Sequence, residues 1–598
     1  RSLNTLKLEA DLVVVGGGLS GVCCAITAAR QGISVILLQD RPVLGGNASS
    51  EVRLWVLGAT SHMGNNNRWA REGGVIDELL LENTFRNPEG NPLIFDTILL
   101  EKVLEEDKIS LYLNTAVYEL EKKGTDAIAK VKAFCSQNST VYEVGAPVFC
   151  DASGDGIVGF LSGAAFRIGA ESGEEFGEAF APTKEYGELL GHSLYFYTKD
   201  VGKPVKYTPP SFALADISKI PRFKSFNTKD FGCRLWWIEY GGRLDTIHES
   251  ETIKMELWKV VYGVWNYIKN SGEFSEAETM TLEWVGTIPG KRESRRFEGD
   301  YMLRQQDVIE QTFFKDAVAF GGWSIDLHPA DGVFSEKPGC NQWHSKGIYS
   351  IPYRCFFSRN ISNLLLAGRI ISATHVAFGS SRVMGTSAYG AQAAGMAAVL
   401  CKRFGTTPKE VGEQYIEELQ QELLKAGQHI PGVGLNDPHD LVQQATIKTS
   451  STLVLHNIPA SGIWRPLNYS AAQMLPVQKG NMPQVGFKVR ANSETELVIE
   501  LRQSSKAFNH TPDVTLATKT FQLTTGENDI LLHWDTMIEA DCYAFICCLK
   551  NDEVELQYSD QRITGIITVF NKTNPAVSNY GTQEPPEDIG VEGFEFWV

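Results

Sequence analysis

The chain has 598 residues, 43% hydrophobic and 21% charged, the balance of a folded globular protein of about three to four domains. A net charge of -17 argues against nucleic acid as a partner, and no run of 18 or more apolar residues is present to span a membrane. The 11 cysteines include no Cys-x-x-Cys, and the adjacent pairs Cys23-Cys24 and Cys547-Cys548 sit in apolar runs, where a thiol is expected as a small buried hydrophobe.

In chain order, "DLVVV" at 11–15 is a short apolar run, as in a strand buried on both faces. "LSGVCCAITAARQG" follows as a helix stopped by Gly32, and "SVILL" is a second strand, so the three make a β-α-β unit. From about 176 to 300 the character changes. "SLYFYTKD", "KPVKYTPP" and "CRLWWIEYGGR" read as sheet, which would turn Trp236 and Trp237 to opposite faces. "ETIKMELWKVVYGVWNYIKNSG" reads as an amphipathic helix with Met255, Trp258, Tyr262, Trp265 and Ile268 along one stripe. From about 350 the α/β style returns: "NLLLAGR" is a strand, "TSAYGAQAAGMAAVLCKRFG" a small-residue helix able to pack closely, and "PKEVGEQYIEELQQELLKAG" one surface helix. Beyond about 440, "ETELVIELRQ", "DVTLATKTFQLTTG", "NDILLHWD", "CYAFICCLK" and "GIITVFNK" are short strands at near-regular spacing, the pattern of an all-β sandwich. The expected fold is α/β, with a doubly wound Rossmann-like nucleotide-binding domain in two parts (1–175 and 301–435). An inserted α+β substrate or cap domain (176–300) and a C-terminal, jelly-roll-like β-sandwich (440–598) complete it.

The first motif with chemistry is Gly16-Gly17-Gly18-Leu19-Ser20-Gly21, a G-x-G-x-x-G between strand and helix. Gly16 permits the tight turn, Gly18 lets the backbone approach a pyrophosphate, and Gly21 lets the helix pack close to the strand with its N-terminus toward the phosphate charge. A second pair, Gly45-Gly46, follows the second strand in "QDRPVLGGN"; a nicotinamide-binding unit does not need it.

In these residues the chain resembles the FAD-binding oxidoreductases of the two-dinucleotide-binding-domain superfamily. Their pattern is strand, G-x-G-x-x-G, helix, a strand ending in Glu, then a basic turn and "LGG". The resemblance puts Gln39 at the Glu position, as an uncharged ribose contact, with the neighbouring Asp40 as its stand-in. It extends to "VFCDASGDG" at 148–156 and to "NLLLAGRIISATHVAFGSSRVMGTSAYGAQAAGMAA" at 363–398, where a helix N-terminus is expected to face the flavin. Over residues 8–430 the chain is similar to one branch, some of whose members carry the label xanthan lyase, on "LGGNAS", "RESRRFEGDY", "YSIPYRCFFS" and the 363–398 segment. Gly385 departs from that branch, where Pro is expected, and should alter loop stiffness only. The cofactor implied is FAD, held by Gly16, Gly18, Leu19, Ser20, Gly21, Gln39, Asp40, Gly45, Gly46, Asn47, Val117, Ala152, Ser153, Gly154, Asp155, Gly368, Arg369, Ala391 and Gln392.

For catalysis, His375 and Arg382 lie in the loop expected beside the flavin: the His to accept a hydroxyl proton, the Arg to bind a carboxylate or oxyanion. Arg296 is the third candidate, from the "KRESRRFEGDY" cluster that also holds Arg292 and Arg295; the plainer reading of such mixed charge is a salt-linked surface segment. Asp326 and His328 lie in a Pro- and Gly-marked loop, where sites often sit. His62, Asn65 to Asn67 and Arg68 could cover the flavin, contact a sugar or be solvated. No metal site is expected, since the histidines are scattered, and no G-x-S-x-G elbow is present.

The function expected is hydride transfer between a carbohydrate or sugar acid and flavin N5. The carbohydrate part rests on analogy, from a β-sandwich fused to a flavin unit. One alternative is fumarate-reductase-like reduction of an unsaturated acid, with Arg382 or Arg296 as carboxylate clamp or acid. Another is a glycan-binding protein with a vestigial flavin fold. The partners expected are a small-molecule or glycan substrate and an electron acceptor that the sequence leaves unknown; a homo-oligomer is allowed. The chain opens on Arg1, which removal of an export signal or trimming would each explain, and the sequence does not decide between them; the location is left unknown, with periplasmic or secreted slightly favoured over cytoplasmic.

Overall fold

The computed structural model, which describes residues 2–60, 70–182, 188–343, 347–505, 510–561, 563, 566, 568–571 and 595–596, is built around a five-stranded parallel sheet. Its strands are β1 (Leu12–Val15), β2 (Val35–Leu38), β3 (Ile109–Tyr112), β4 (Val148–Asp151) and β5 (Leu364–Leu366), in the spatial order β5-β4-β1-β2-β3. In register, Val15 lies between Leu38 and Asp151, so the strand ends that carry the motifs stand side by side. Leu12, Val13 and Val14 are fully buried, which is why β1 reads as continuous rather than alternating apolar sequence.

Helix α1 (Leu19–Arg30) runs from β1 to β2, and helix α2 (Met384–Phe404) packs against it. The small-residue character of α2 has a direct use: a Cβ added at Gly395 would overlap the Cys24 carbonyl of α1. A second sheet holds 4–9, 140–145, 127–135 and 115–123 in that order, and its inward residues Val131, Ala133 and Val144 join the core of the parallel sheet. Part of the covering expected of helices is thus supplied by strands. The predicted surface helix from Pro408 is two helices, Pro408–Gln414 and Ile416–Lys425, broken at Tyr415, whose ring stacks on Phe404 at 4.1 Å.

The middle of the chain has its own apolar cluster, under the helix Ser250–Asn270 and the antiparallel pair 196–200/280–285. The buried stripe of that helix is Ile253, Leu257, Val261, Val264, Trp265 and Ile268; Met255, expected on it, is 44% exposed, because the pair packs against a neighbouring face. "CRLWW" is not sheet. Gly232–Leu235 is a 3-10 turn, and Trp236 and Trp237 leave it without strand alternation. In the C-terminal part, two five-stranded antiparallel sheets share a core that includes Val489, Leu497, Ile499, Leu501, Ile546 and Leu556. Cys23, Cys24, Cys547 and Cys548 are buried and unpaired, as expected. Among the described residues no helix is long and apolar enough to cross a membrane.

Candidate functional site

The glycines after β1 build a cradle. Gly16 has φ +104, and a side chain there would overlap the Ala152 carbonyl; a Cβ on Gly21 would overlap the Gly16 carbonyl. Gly45 (φ +102) donates its N–H to the Gly17 carbonyl at 2.8 Å, which docks the second glycine pair onto the first. Gly18 is different: among the described residues nothing comes closer to its would-be Cβ than the Gly46 Cα at 3.9 Å, so its bare face is open. Gly18 is also the N-cap of α1 and offers no side-chain cap, and the first turn carries no acidic residue. Free N–H groups and the positive helix end therefore meet at a surface that no described side chain fills, which fits a pyrophosphate.

A cavity of about 820 Å³ opens there, in the upper part of the ~300–1,000 Å³ range of small-molecule sites. Gly16, Gly18, Leu19, Ser20, Gln39, Asp40, Gly45, Gly46, Asn47, Ala152, Ser153, Gly154, Asp155, Gly368 and Arg369 all line it. Gln39 does so with its amide already engaged. The oxygen expected to face a ribose accepts the Gly17 N–H at 2.7 Å, and the amide nitrogen donates to the Val43 carbonyl at 2.9 Å. Gln39 thus ties the first glycine loop to the turn that leads to the second. Asp40 keeps a carboxylate 64% exposed at the strand tip, and its nearest cation is Arg41 at 3.9 Å.

At the end of β4, Asp151 is buried and shapes the turn by accepting the Ser153 and Gly159 N–H groups. Asp155 faces the cavity between Lys291 Nζ (2.5 Å) and Arg369 Nη2 (2.9 Å). Burial alone would raise its carboxyl, but Lys291 and then Arg369 hold it down to about 2. Arg369 keeps a buried Nε with no hydrogen-bond partner, a donor left over for a ligand. On the opposite flank the uncapped N-terminus of α2 brings Val383, Met384 and Ser387 to the cavity, beside Leu54, Trp55 and Leu57. Gly385 does more than loosen a loop: its N–H donates to the Leu57 carbonyl at 2.7 Å, a bond proline cannot make.

Four residues expected at the cofactor do not line the cavity. Gly21 is packed against the Gly16 carbonyl. Ala391 is buried in the body of α2. Gln392 is spent on structure, accepting the Ile76 N–H at 3.1 Å and donating to Gln428 at 2.7 Å. Val117 lies in the strand Thr115–Lys123, away from the lining. His62, Asn65 to Asn67 and Arg68 fall outside the described residues.

The far end of the cavity is polar and is assembled from four distant segments. Arg292, Asp326, His328 and Arg382 line it, with Trp236, Trp323 and Gln342. The strand Ile325–Leu327 pairs with Asn341–Trp343, which sets Asp326 opposite Gln342. Arg382 Nη2 lies 3.1 Å from Asp326 Oδ2, and Arg292 Nη1 lies 3.2 Å from the buried Glu239. Burial would raise both carboxyls; His328 and Arg382 hold Asp326 well below the usual range, and Arg292 with His328 does the same for Glu239. Among the described residues Asp326 Oδ1, Glu239 Oε1 and Arg382 Nε are buried with no hydrogen-bond partner, and of the three residues Asp326 and Arg382 line the cavity.

Of the three catalytic candidates, only Arg382 reaches this place. Arg296 is fully buried, its guanidinium 2.7 Å from Glu171 and 3.0 Å from Glu293 and also bonded to the Ala373 carbonyl. It closes a charged core cluster and does not line the cavity, the salt-linked alternative in a buried form. His375 joins the same cluster, with Nδ1 3.0 Å from Glu293 and its backbone N–H on Glu171. Arg295 lies over Phe160 at 4.0 Å and donates to the Asp155 carbonyl. Arg292, next to Lys291, is the arginine of that run that lines the cavity. Only loop position marked Asp326 and His328 in the sequence, and nothing marked Glu239. Among the described residues no group of three or more His, Cys, Asp or Glu is placed to hold a metal.

A family model described as FAD dependent oxidoreductase matches residues 11–423. Comparison with curated proteins finds no match. Solved structures that the chain is similar to include a geranylgeranyl bacteriochlorophyll reductase-like protein from Thermoplasma acidophilum (12% identity, TM-score 0.32, 71% of this chain and 85% of that one). Adenylylsulfate reductase from Archaeoglobus fulgidus gives 13% identity and a TM-score of 0.30, over 70% of this chain and 74% of that one. The p-nitrophenol 4-monooxygenase from Pseudomonas putida gives 11% and 0.31, over 70% and 86%.

Proposed function

The chain belongs to the FAD dependent oxidoreductase family, and from that premise we propose that it moves a hydride between FAD and a hydroxylated, anionic small molecule of the sugar-acid class. The observation that carries this reading is the continuity of one cavity, from the glycine cradle to the cluster of Arg292, Asp326, His328 and Arg382. In it the cradle and the α1 N-terminus would hold the pyrophosphate and Asp40 the ribose hydroxyls, with Arg369, Lys291 and Asp155 on the cofactor's side of the lining. Bound FAD supplies a two-electron acceptor or donor; everything else falls to the side chains.

At the polar end, Arg382 and Arg292 receive a carboxylate, and the free oxygen of Asp326 accepts from a hydroxyl. Trp236 and Trp323 offer flat apolar surface to the C–H face of a sugar ring. Membership of an enzyme family with an intact cradle weighs against a glycan-binding protein with a vestigial flavin fold. The test is anaerobic: D-glucuronate is expected to bleach the flavin absorbance of the loaded enzyme more readily than D-glucose. If neither these nor a wider panel of sugars and sugar acids reduces the flavin, the reading fails. The same two arginines also suit the reverse use, reduction of an unsaturated acid, which predicts that an unsaturated uronate reoxidises the reduced enzyme.

A further inference from the structure

We propose that His328 Nε2 is the acid–base centre of this enzyme, held in its working tautomer by Glu239. The inference rests on the reading that the polar end of the cavity receives the substrate. Its ground is the unequal setting of the two ring nitrogens. Nδ1 lies 2.9 Å from Glu239 Oε2, and an ionised carboxylate can only accept. Glu239 is itself buried and held ionised by Arg292 and His328, so Nδ1 keeps its proton in both charge states of the ring.

Nε2 meets an acceptor and a donor at once. Asp326 Oδ2 lies 3.1 Å from it and Arg382 Nη2 lies 3.3 Å from it. With a proton, Nε2 donates to Asp326; without one, it accepts from Arg382. Either state is bonded with no movement of the ring, which Trp236 also restrains edge-on at 5.4 Å. A histidine that only braces a loop needs no such pair of alternatives. Among the described residues, the other titratable groups facing this point are Arg292 and the Cys340 thiol, which is pushed up to about 12, first by its own burial and then by Asp326. Cys340 therefore stays protonated and does not compete as a base. Neither of two other buried histidines has this setting. His375 belongs to the Arg296 cluster, and His192 is buried with both ring nitrogens unpartnered and does not line the cavity.

In the oxidative direction bound FAD would supply the acceptor for the hydride, the electron pair of the breaking substrate C–H bond. The O–H bond breaks, its proton goes to Nε2, and a C=O bond forms. His328 becomes an imidazolium between two carboxylates. The reductive direction runs the same proton back to the substrate oxygen.

Two measurements test this. In long-range ¹H–¹⁵N spectra of the FAD-loaded enzyme, with no substrate, the neutral His328 ring is expected to carry its proton on Nδ1, the less common tautomer of a free imidazole. The resonance is assigned by its loss in His328→Gln. A neutral ring protonated on Nε2, or a ring doubly protonated at every pH at which the enzyme stays folded, overturns the proposal. In the second, His328→Ala is expected to keep its flavin spectrum while anaerobic flavin reduction by D-glucuronate slows about 10²- to 10⁴-fold, with partial recovery on adding imidazole. A rate within a few-fold of native also overturns it. Should D-glucuronate fail to reduce the native enzyme, the sugar-acid reading falls, and the tautomer still decides the role of His328.

Discussion

Replacing Gln39 by Glu would restore the residue type that the family pattern has at this strand tip, yet the structure predicts that it weakens FAD binding. Gln39 is 2% exposed, and its amide works in both directions, accepting from Gly17 at 2.7 Å and donating to Val43 at 2.9 Å. A carboxylate keeps the first bond and reverses the second, setting oxygen against oxygen in a buried place. The lost bond and the unpaired Val43 carbonyl cost about 1–3 kcal/mol together. The cost falls on the bound state, because the Gly17 loop must hold its position to receive the pyrophosphate and is free to relax without it. At about 1.4 kcal/mol per tenfold, the FAD dissociation constant rises roughly 5- to 100-fold. The pH dependence gives a second handle. Burial raises the introduced carboxyl, and once protonated it again donates to Val43 and accepts from Gly17. Fluorescence titration of the apoprotein with FAD should therefore show the deficit at about pH 8 and a smaller one, relative to native protein, at about pH 5.5. Binding as tight as native or tighter at the higher pH would refute this reasoning and place the ribose on Gln39 after all.

Three further outcomes follow from the same geometry. Arg296→Met leaves Glu171 and Glu293 buried with their arginine gone, and is expected to lose about 3–5 kcal/mol of stability, read as a fall in Tm; a Tm within about a degree of native would count against the buried cluster. Asp155 is held at about 2, below its unfolded value, so its contribution of about 2 kcal/mol is present above about pH 4 and is lost as pH falls through about 2. Urea unfolding of native protein and Asp155→Asn should then differ most near neutral pH and converge in acid; a constant difference would show that Lys291 and Arg369 do not set it. Gly385→Pro removes the N–H that bonds Leu57 and brings a ring toward that carbonyl, 2.8 Å from where a Cβ would stand, so FAD should dissociate faster at a cost of about 1–3 kcal/mol, with unchanged release as the contrary result.

How much of this was legible in the residues depends on distance along the chain. The cradle was, because its rules are local and steric: Gly16, Gly18 and Gly21 act within one strand–turn–helix, and Gly45-Gly46 lies a single β-α-β unit away. The apolar runs of β1 and β2 and the close packing of α1 on α2 through Gly395 belong to the same kind of inference, in which residue size and periodicity leave few options. Gln39 marks the limit. Its position at the strand tip was readable, but the direction of its amide depends on where the Val43 carbonyl and the Gly17 N–H come to rest.

Beyond that limit stand the charged residues. His375 and His328, or Arg296 and Arg292, look alike in sequence, and composition ranks neither above the other. Residues 292, 326, 328 and 382 converge at one end of the cavity, backed by residue 239, while residues 171, 293, 296 and 375 converge in the core. A backbone motif needs only its own neighbours to become a site. A charged side chain takes its role from the partners that long-range packing brings to it, and those partners decide whether it closes a buried ion cluster or faces a substrate.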